Sequence, residues 1–372
     1  VSLQIDIPVD PGVPLHVRIE QELRRRIASG ELAPGQRLPP APELAAKMGV
    51  HFLTVHKALR RLKAAGLLSR TPGVGTFVRE STDRLVLGVM FGPSLSDEPS
   101  HYYRAMLREF EAQMGGKGWV CRAYDGLNAG DAPSGLPKTA AYHRFEEDKL
   151  GHRFGGLVSV GLGGKHWQRI TSENHVTGAR FAQTMEGMDV TVDYHDFTYR
   201  CVERLARQGR RRVVYLRTFH PSRGRTEDAD GFLDAAKEFG IADFAIEEIE
   251  MDHGGHFDEA QAHKRGLSLI QEWRRTGKWA DGLVISDDVA MRGLSLAMCA
   301  AGAEATRRVR VASLAIEGID HHYGIPIERY QFSPREIVAN ILEVLAHRLE
   351  GTETGPLPRV LRGRMLPSPP VS

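Results

Sequence analysis

The sequence predicts two unlike modules: a small helical head ending in a β-hairpin, and a much larger α/β body. Through residues 14–66 apolar residues recur at three- and four-residue spacing, punctuated by glycines, which is helix periodicity. A glycine-rich tip, Pro72-Gly73-Val74-Gly75, then splits the strand-like stretch Leu67 to Val78 into a hairpin. From Leu85 onward short apolar runs alternate with helical patterns, the grammar of parallel sheets covered by helices.

In chain order, residues 1–13 read as a loose lead and Pro14 as a helix start. Leu15, Ile19, Leu23 and Ile27 form a stripe that runs up to Gly30. The run Arg24-Arg25-Arg26 lies off that stripe and reads as a solvated face, with phosphate contact as its other reading. Pro42 to Met48 reads as a compact helix that Gly49 ends with a left-handed turn. A second helix follows, with Val55, Leu59 and Leu62 on its buried side and His56, Lys57, Arg60, Arg61 and Lys63 on other faces; Gly66 closes it. Helix, turn, basic helix and glycine-tipped hairpin is the order of a winged helix-turn-helix, whose second helix enters the major groove.

Charge is distributed in the same sense. Residues 1–80 hold 12 Lys/Arg and 7 Asp/Glu, a balance of +5, while the rest holds 37 and 40, a balance of −3. A basic front on a mildly acidic body suits a nucleic-acid module joined to something else. Across all 372 residues, 41% hydrophobic and 26% charged residues are enough for packed cores in two or three domains. No uninterrupted apolar stretch of about 18 residues and no export signal is seen, so a cytoplasmic location is expected. The three cysteines, Cys121, Cys201 and Cys299, lie far apart and read as core residues, not as a zinc or disulfide framework.

The head resembles the GntR-type DNA-binding domain. The resemblance is carried by Pro34-Gly35 and Leu38-Pro39, by Glu43-Leu44-Ala45, by Thr54-Val55 and Ala58-Leu59, and by Arg70, Gly73, Gly75, Thr76, Phe77 and Val78. It implies that DNA is contacted from Arg37, Glu43, Phe52, Thr54, His56, Lys57, Arg70, Gly73 and Gly75, with Arg37, Lys57 and Arg70 on phosphates. Several base-facing positions depart from the family: Pro40 and Pro42 stand for a serine and an arginine, and Phe52 and His56 stand for arginines. Arginine is the usual bidentate reader of guanine, whereas Phe52 can press on a thymine methyl and His56 can offer one hydrogen bond. The operator is therefore expected to differ from the family's usual GC-containing half-site.

The body reads as strands at Leu85–Phe91, Trp119–Tyr124, Gly156–Val160, Val213–Leu216, Phe244–Ile249, Gly282–Ser286 and Val309–Ala315, followed by Ile327–Phe332. Helices are expected at Tyr102–Met114, Ala140–Leu150, Phe197–Gln208, Ala229–Phe239, Asp258–Arg275, Val289–Ala301 and Pro334–Leu349, and an extended tail at Arg359–Leu366. Lys165 to Gly187 has no clear pattern, and RESTDR, Arg79 to Arg84, reads as a linker. Nearly 290 residues exceed one sheet of usual size, so two lobes are expected.

This order resembles the effector domain of LacI/GalR-type repressors, which is built like a type I periplasmic binding protein. The residues that carry it are Leu85 to Phe91, Asp193 through Gly209-Arg210-Arg211-Arg212-Val213, Gly231-Phe232, Ser286-Asp287-Asp288 with Gly293, and Gln331 to Ile337. A GntR-type head on such a body is the combination of the arabinose-responsive repressor type; a UTRA-type body would be about half as long. The resemblance implies a winged helix-turn-helix at 1–79, a linker at 80–84, an effector-binding and dimerisation domain at 85–366 and a tail at 367–372. It implies lobes of residues 85–190 with Pro334–Glu350 and of residues 193–332 with the terminal strand, crossed three times. It also implies operator DNA and a small sugar-like effector as partners, in a homodimeric repressor without enzymatic activity.

Ligand contacts are expected at strand ends: Ser94 within Gly92–Ser96, Asp228 at the end of Thr218–Asp228, and Asp287 and Asp288, where the family contacts sugar hydroxyls. The other reading of Asp288 is a cap on the next helix. Asp228 stands where the family has arginine, and the acid expected after Val309–Leu314 is missing, with Glu317 nearest. The alternative is thus a DNA-binding structural protein whose pocket senses nothing. Asp252-His253-Gly254-Gly255-His256 and His321-His322 read as loops, not a metal site, and Gly161-Leu162-Gly163-Gly164 reads as a strand-end turn. No lysine sits in the Ser/Thr-Lys setting of a pyridoxal phosphate body, and no cofactor is expected.

Overall fold

The computed structural model describes residues 12–64, 67–71, 74–78, 85–96, 101–117, 119–127, 139–150, 154–162, 167, 170, 177–182, 187–219, 227–250, 259–319, 322–350 and 352–368. They divide into one compact unit of Val1–Ser94, Phe110–Phe181 and Ala339–Leu357, and a second of Leu95–Glu109, Ala182–Val338 and Pro358–Ser372.

The head contains α1 (Leu15–Ala28), β1 (Arg37–Leu38), α2 (Ala41–Met48), α3 (Phe52–Ala64), β2 (Leu68–Thr71) and β3 (Gly75–Val78). The expected stripes become its core. Ile19 and Leu23 of α1, Leu44 and Ala45 of α2, and Val55, Ala58, Leu59 and Leu62 of α3 are buried together with Leu68 and Val78 of the hairpin. Gly49 takes φ 63°, and its N–H reaches back to the Ala46 carbonyl, so the left-handed turn between α2 and α3 forms where expected. Two features had no periodic signal. The two-residue strand β1 exists because Arg37 and Leu38 pair antiparallel with Phe77 and Thr76. The start of α3 is capped by His51, whose Nδ1 accepts from the Leu53 amide at 3.3 Å, doing what a Ser or Asp would do.

In the first unit the body contributes β4 (Val86–Phe91), α4 (His101–Gly116, shared between the units), β5 (Val120–Tyr124), α5 (Ala140–Leu150), β6 (Gly156–Val160) and β7 (Gly178–Phe181). Next come β8 (Val190–Val192), α6 (Tyr194–Arg207), β9 (Arg212–Phe219), α7 (Glu227–Glu238), β10 (Asp243–Glu250), α8 (Glu259–Thr276) and β11 (Gly282–Ile285). The chain continues through α9 (Asp288–Ala301), α10 (Ala303–Arg308), β12 (Arg310–Ile316), β13 (Ile327–Phe332), α11 (Pro334–Glu350), β14 (Arg359–Leu361) and β15 (Arg364–Met365). One six-stranded sheet has the order β14-β8-β7-β6-β4-β5 and the other β10-β9-β11-β12-β13-β15. Neighbours β4 with β5, β4 with β6, β6 with β7, and β9 through β13 run parallel, as the alternation predicts.

Four body expectations are corrected. β7 lies inside the unpatterned stretch, too short for an apolar alternation to register. α4 runs past the expected end at Met114 to take in Gly115 and Gly116, since an exposed glycine weakens a helix without breaking it. α6 begins three residues early, because the Asp193 carboxylate accepts the Asp196 amide at 2.8 Å and caps it. The tail is two strands, β14 beside β8 and β15 antiparallel to β13.

Gly231 and Gly293 mark helix crossings. A Cβ on Gly231 of α7 would lie 2.2 Å from the His195 carbonyl of α6, and one on Gly293 of α9 equally close to the Glu259 carbonyl of α8. Only glycine allows backbones this near, which gives both motif positions a packing cause.

Candidate functional site

On α3 the buried and outward faces are cleanly divided. Phe52 and Leu53 are 42% and 60% exposed, Lys57, Arg60 and Lys63 are exposed, and His56 is half-buried with its ring 5.8 Å from that of Phe52. Among the described residues Lys57, Arg60 and Lys63 form no ion pair. Arg61 does: it turns to the other side and bonds Glu20 of α1. Thr54 is half-buried, with its amide on the His51 carbonyl. Glu43 is exposed on α2 and pairs with Lys47 at 2.9 Å.

The wing is held by the pairing of β3 with β2 and with β1. Arg37 lies so close to Gly75 that a Cβ there would sit 2.7 Å from the guanidinium Nε, and Gly75 has φ 148°. The backbone at Gly75 is one that a side chain would strain, which gives the glycine its cause, and the Arg37 side chain lies over it. Arg70 is in β2, opposite Thr76. Gly73 lies outside the described residues.

The arginine run of α1 is engaged within the head. Arg24 bonds Glu20 at 3.2 Å, Arg25 bonds Glu22 and Glu31 at 3.0 Å, and Arg26 bonds Glu22 at 2.6 Å. Burial opposes ionisation of Glu22, but hydrogen bonds and charge from Arg25 and Arg26 outweigh it and hold its carboxyl below the usual range.

Within the second unit, strand order locates another candidate site. The chain leaves β9 for β10 on one side and returns to β11 on the other, so the order reverses between β9 and β11. A crevice outside the carboxyl ends of strands is expected at such a reversal. Gathered there are Tyr215 and Arg217 of β9, Asp228 at the start of α7, and Ser286-Asp287-Asp288 after β11. Tyr215 donates to Asp228 at 2.5 Å and is also bonded to the Ser286 hydroxyl; Arg217 approaches Asp228 at 3.4 Å and Glu248 at 3.7 Å. Burial, then the Asp228 charge, push the Tyr215 phenol well above its ordinary range.

Asp287, not Asp288, caps α9. Its Oδ1 accepts from the amides of Val289 at 2.8 Å and Ala290 at 2.9 Å, and Asp288 is the first residue of the helix. The register follows from geometry: a cap needs extended backbone, and Asp287 has φ −145°. Burial, reinforced by the neighbouring Asp288 charge, raises its pKa to about 7 against the pull of the two amides. Burial, then the Asp288 charge, push the Tyr323 phenol up, while Arg329 and Arg292 oppose.

The structure thus brings Asp228, Asp287 and Asp288 to one sheet edge. Ser94, in the first unit, is half-buried after β4, where that sheet has its own reversal between β4 and β6. Tyr215, Arg217 and Tyr323 were missed by the sequence reading; an arginine two residues after a tyrosine in an apolar strand was the available signal. Asp252 to His256 and His321 lie outside the described residues.

Residues 15–78 match the family described as "Bacterial regulatory proteins, gntR family". The histidine utilization repressor of Pseudomonas putida is 42% identical over 74 residues, 20% of this chain and 30% of that protein. The HTH-type transcriptional repressor NagR of Bacillus subtilis is 41% identical over 66 residues, 18% and 27% of the two chains. The chain therefore spans less than a third of these relatives. A LacI family transcriptional regulator from Arthrobacter sp. FB24, solved in complex with lactose, superposes with TM-score 0.58 at 18% identity over 77% of this chain and 98% of that one. The transcription regulator CcpA of Lactococcus lactis gives 0.59 at 16% identity over the same shares. The head is a GntR-family helix-turn-helix domain, and the body has the two-lobed, periplasmic-binding-protein-like α/β fold of LacI-type regulators.

Proposed function

We propose that the chain is a transcriptional repressor whose head binds operator DNA and whose body binds a small, sugar-like molecule that controls this binding. The observation that carries the reading is the match of residues 15–78 to the gntR family. The outward cations of α3 support it. The domains are taken as 1–79, 80–84, 85–366 and 367–372, acting in the cytoplasm without catalysing a reaction.

For the body, the structure of like fold solved in complex with lactose supports a polyhydroxylated ligand. Carboxylates suit hydroxyl pairs, and both amide bonds of Asp287 fall on Oδ1, leaving Oδ2 without a hydrogen bond among the described residues. Asp288, beside it at the start of α9, is assigned as a further contact. Asp228 serves the ligand through the edge it builds with Tyr215 and Arg217. DNA is bound as a homodimer, since one head covers little of the duplex and two half-sites multiply discrimination. The ligand sets whether both heads meet their half-sites, by its differential affinity for the two arrangements.

The test is operator affinity of the full chain with and without a panel of sugars. One sugar should shift it by about five-fold or more. Unchanged affinity with every sugar would remove the sensing role and leave the DNA-binding one.

A further inference from the structure

The outward face of α3 has an unusual composition for a surface that meets nucleic acid. At about 100° per residue, Phe52, Lys63, His56, Arg60, Leu53 and Lys57 fall in that order within one sector of roughly 140°. Two large apolar side chains therefore share a face with three cations, and the apolar pair occupies the first turn, where a recognition helix meets base edges. The cations lie toward the other end. No arginine is on that first turn, and Arg61 is held away by Glu20.

We propose that Phe52 and Leu53 read the C5-methyl groups of thymines by apolar contact, with Lys57, Arg60 and Lys63 on the flanking phosphates. This rests on the proposed DNA binding and names the base chemistry it uses. The thymine methyl is the apolar feature of the major-groove edge, and burying it against Phe52 and Leu53 removes apolar surface on both sides from water. The three cations complement the phosphates and fix α3 in the groove. His56, packed beside Phe52, steadies the ring and limits how it turns.

The experiment uses the full chain and a duplex selected by it from a random pool. Each thymine of the protected half-site is replaced in turn by uracil, which deletes the methyl and keeps the pairing. At one or two positions binding should weaken about four-fold per methyl, the worth of one buried carbon. That loss should disappear in Phe52→Ala or in Leu53→Ala, whose side chains lie outside the apolar core of the head. A 5-methylcytosine·guanine pair at the sensitive position should bind better than a cytosine·guanine pair, by a similar factor. The proposal is overturned if no uracil weakens binding, if the loss persists in both variants, or if the half-site has no thymine. Failure to select any duplex would overturn the DNA-binding reading itself, a different result from selection without methyl sensitivity.

Discussion

The helices α1 and α3 are both basic, and they differ in where their charges go. On α1, Arg24, Arg25 and Arg26 close onto Glu20, Glu22 and Glu31 of the same helix or the turn after it. On α3, which has no acidic residue, Arg61 alone finds such a partner among the described residues, and Lys57, Arg60 and Lys63 face outward. Each helix carries four basic residues, but α1 also carries Glu20 and Glu22; pairing makes one a brace of the head and leaves the other an outward cationic surface. The body repeats the contrast, with Arg217 and Asp228 closed on each other inside the second unit while Asp287 keeps one oxygen unused by the described residues.

The largest effect should come from breaking a closed pair. Asp228→Ala leaves the Tyr215 hydroxyl and Arg217 guanidinium buried without their acid, and should cost about 3–5 kcal/mol of stability, read by urea unfolding of the full chain. A loss below about 1 kcal/mol would mean that the pair is not closed.

Asp287 should give a pH signature. Its carboxyl is raised to about 7 when folded, so the folded state favours the neutral form. The stabilisation is fully present below the unfolded pKa of about 4 and is lost as pH rises through about 7, amounting to at most roughly 4 kcal/mol. Asparagine caps as well as aspartate, so Asp287→Asn keeps the helix start and removes the slope. Stability of the parent relative to this variant should fall from pH 4 to pH 8; parallel curves would show that Asp287 ionises normally.

On the open face, Lys57→Ala with Arg60→Ala should weaken binding to a selected duplex by roughly ten- to a hundred-fold and reduce the salt slope by about 1.8, or 0.9 per lost phosphate contact. Arg24→Ala on the braced face should change affinity less than about two-fold and stability by about 0.5 kcal/mol, the worth of one helix pair at i,i+4 spacing. Equal losses from the two helices would erase the distinction between them.

Much of this was legible in the residues. The stripes Ile19-Leu23 and Val55-Leu59-Leu62 announced the head's core because a helix buries one side and period betrays it. The alternation after Leu85 announced parallel sheets for the same reason. What stayed hidden depends on partners distant in sequence: β1 exists only through β3, and β7 is too short to show a period. At the sites, the acids after β11 were visible as a cluster, but which of them caps α9 is a matter of backbone angle. Tyr215 and Arg217 become neighbours of Asp228 only once β9 and α7 are packed. The engagement of Arg24 to Arg26 was equally beyond reach of composition, since glutamates three and four residues away had to be seen closing on them.

The outward face of α3 is proposed to make this chain a sequence-selective binder of duplex DNA. The most direct test is the affinity of the full chain for a duplex it has itself selected, against a scrambled duplex of equal composition at about 0.15 M salt. A preference of a thousand-fold or more for the selected sequence is the predicted result. Equal affinity for the two duplexes would contradict it.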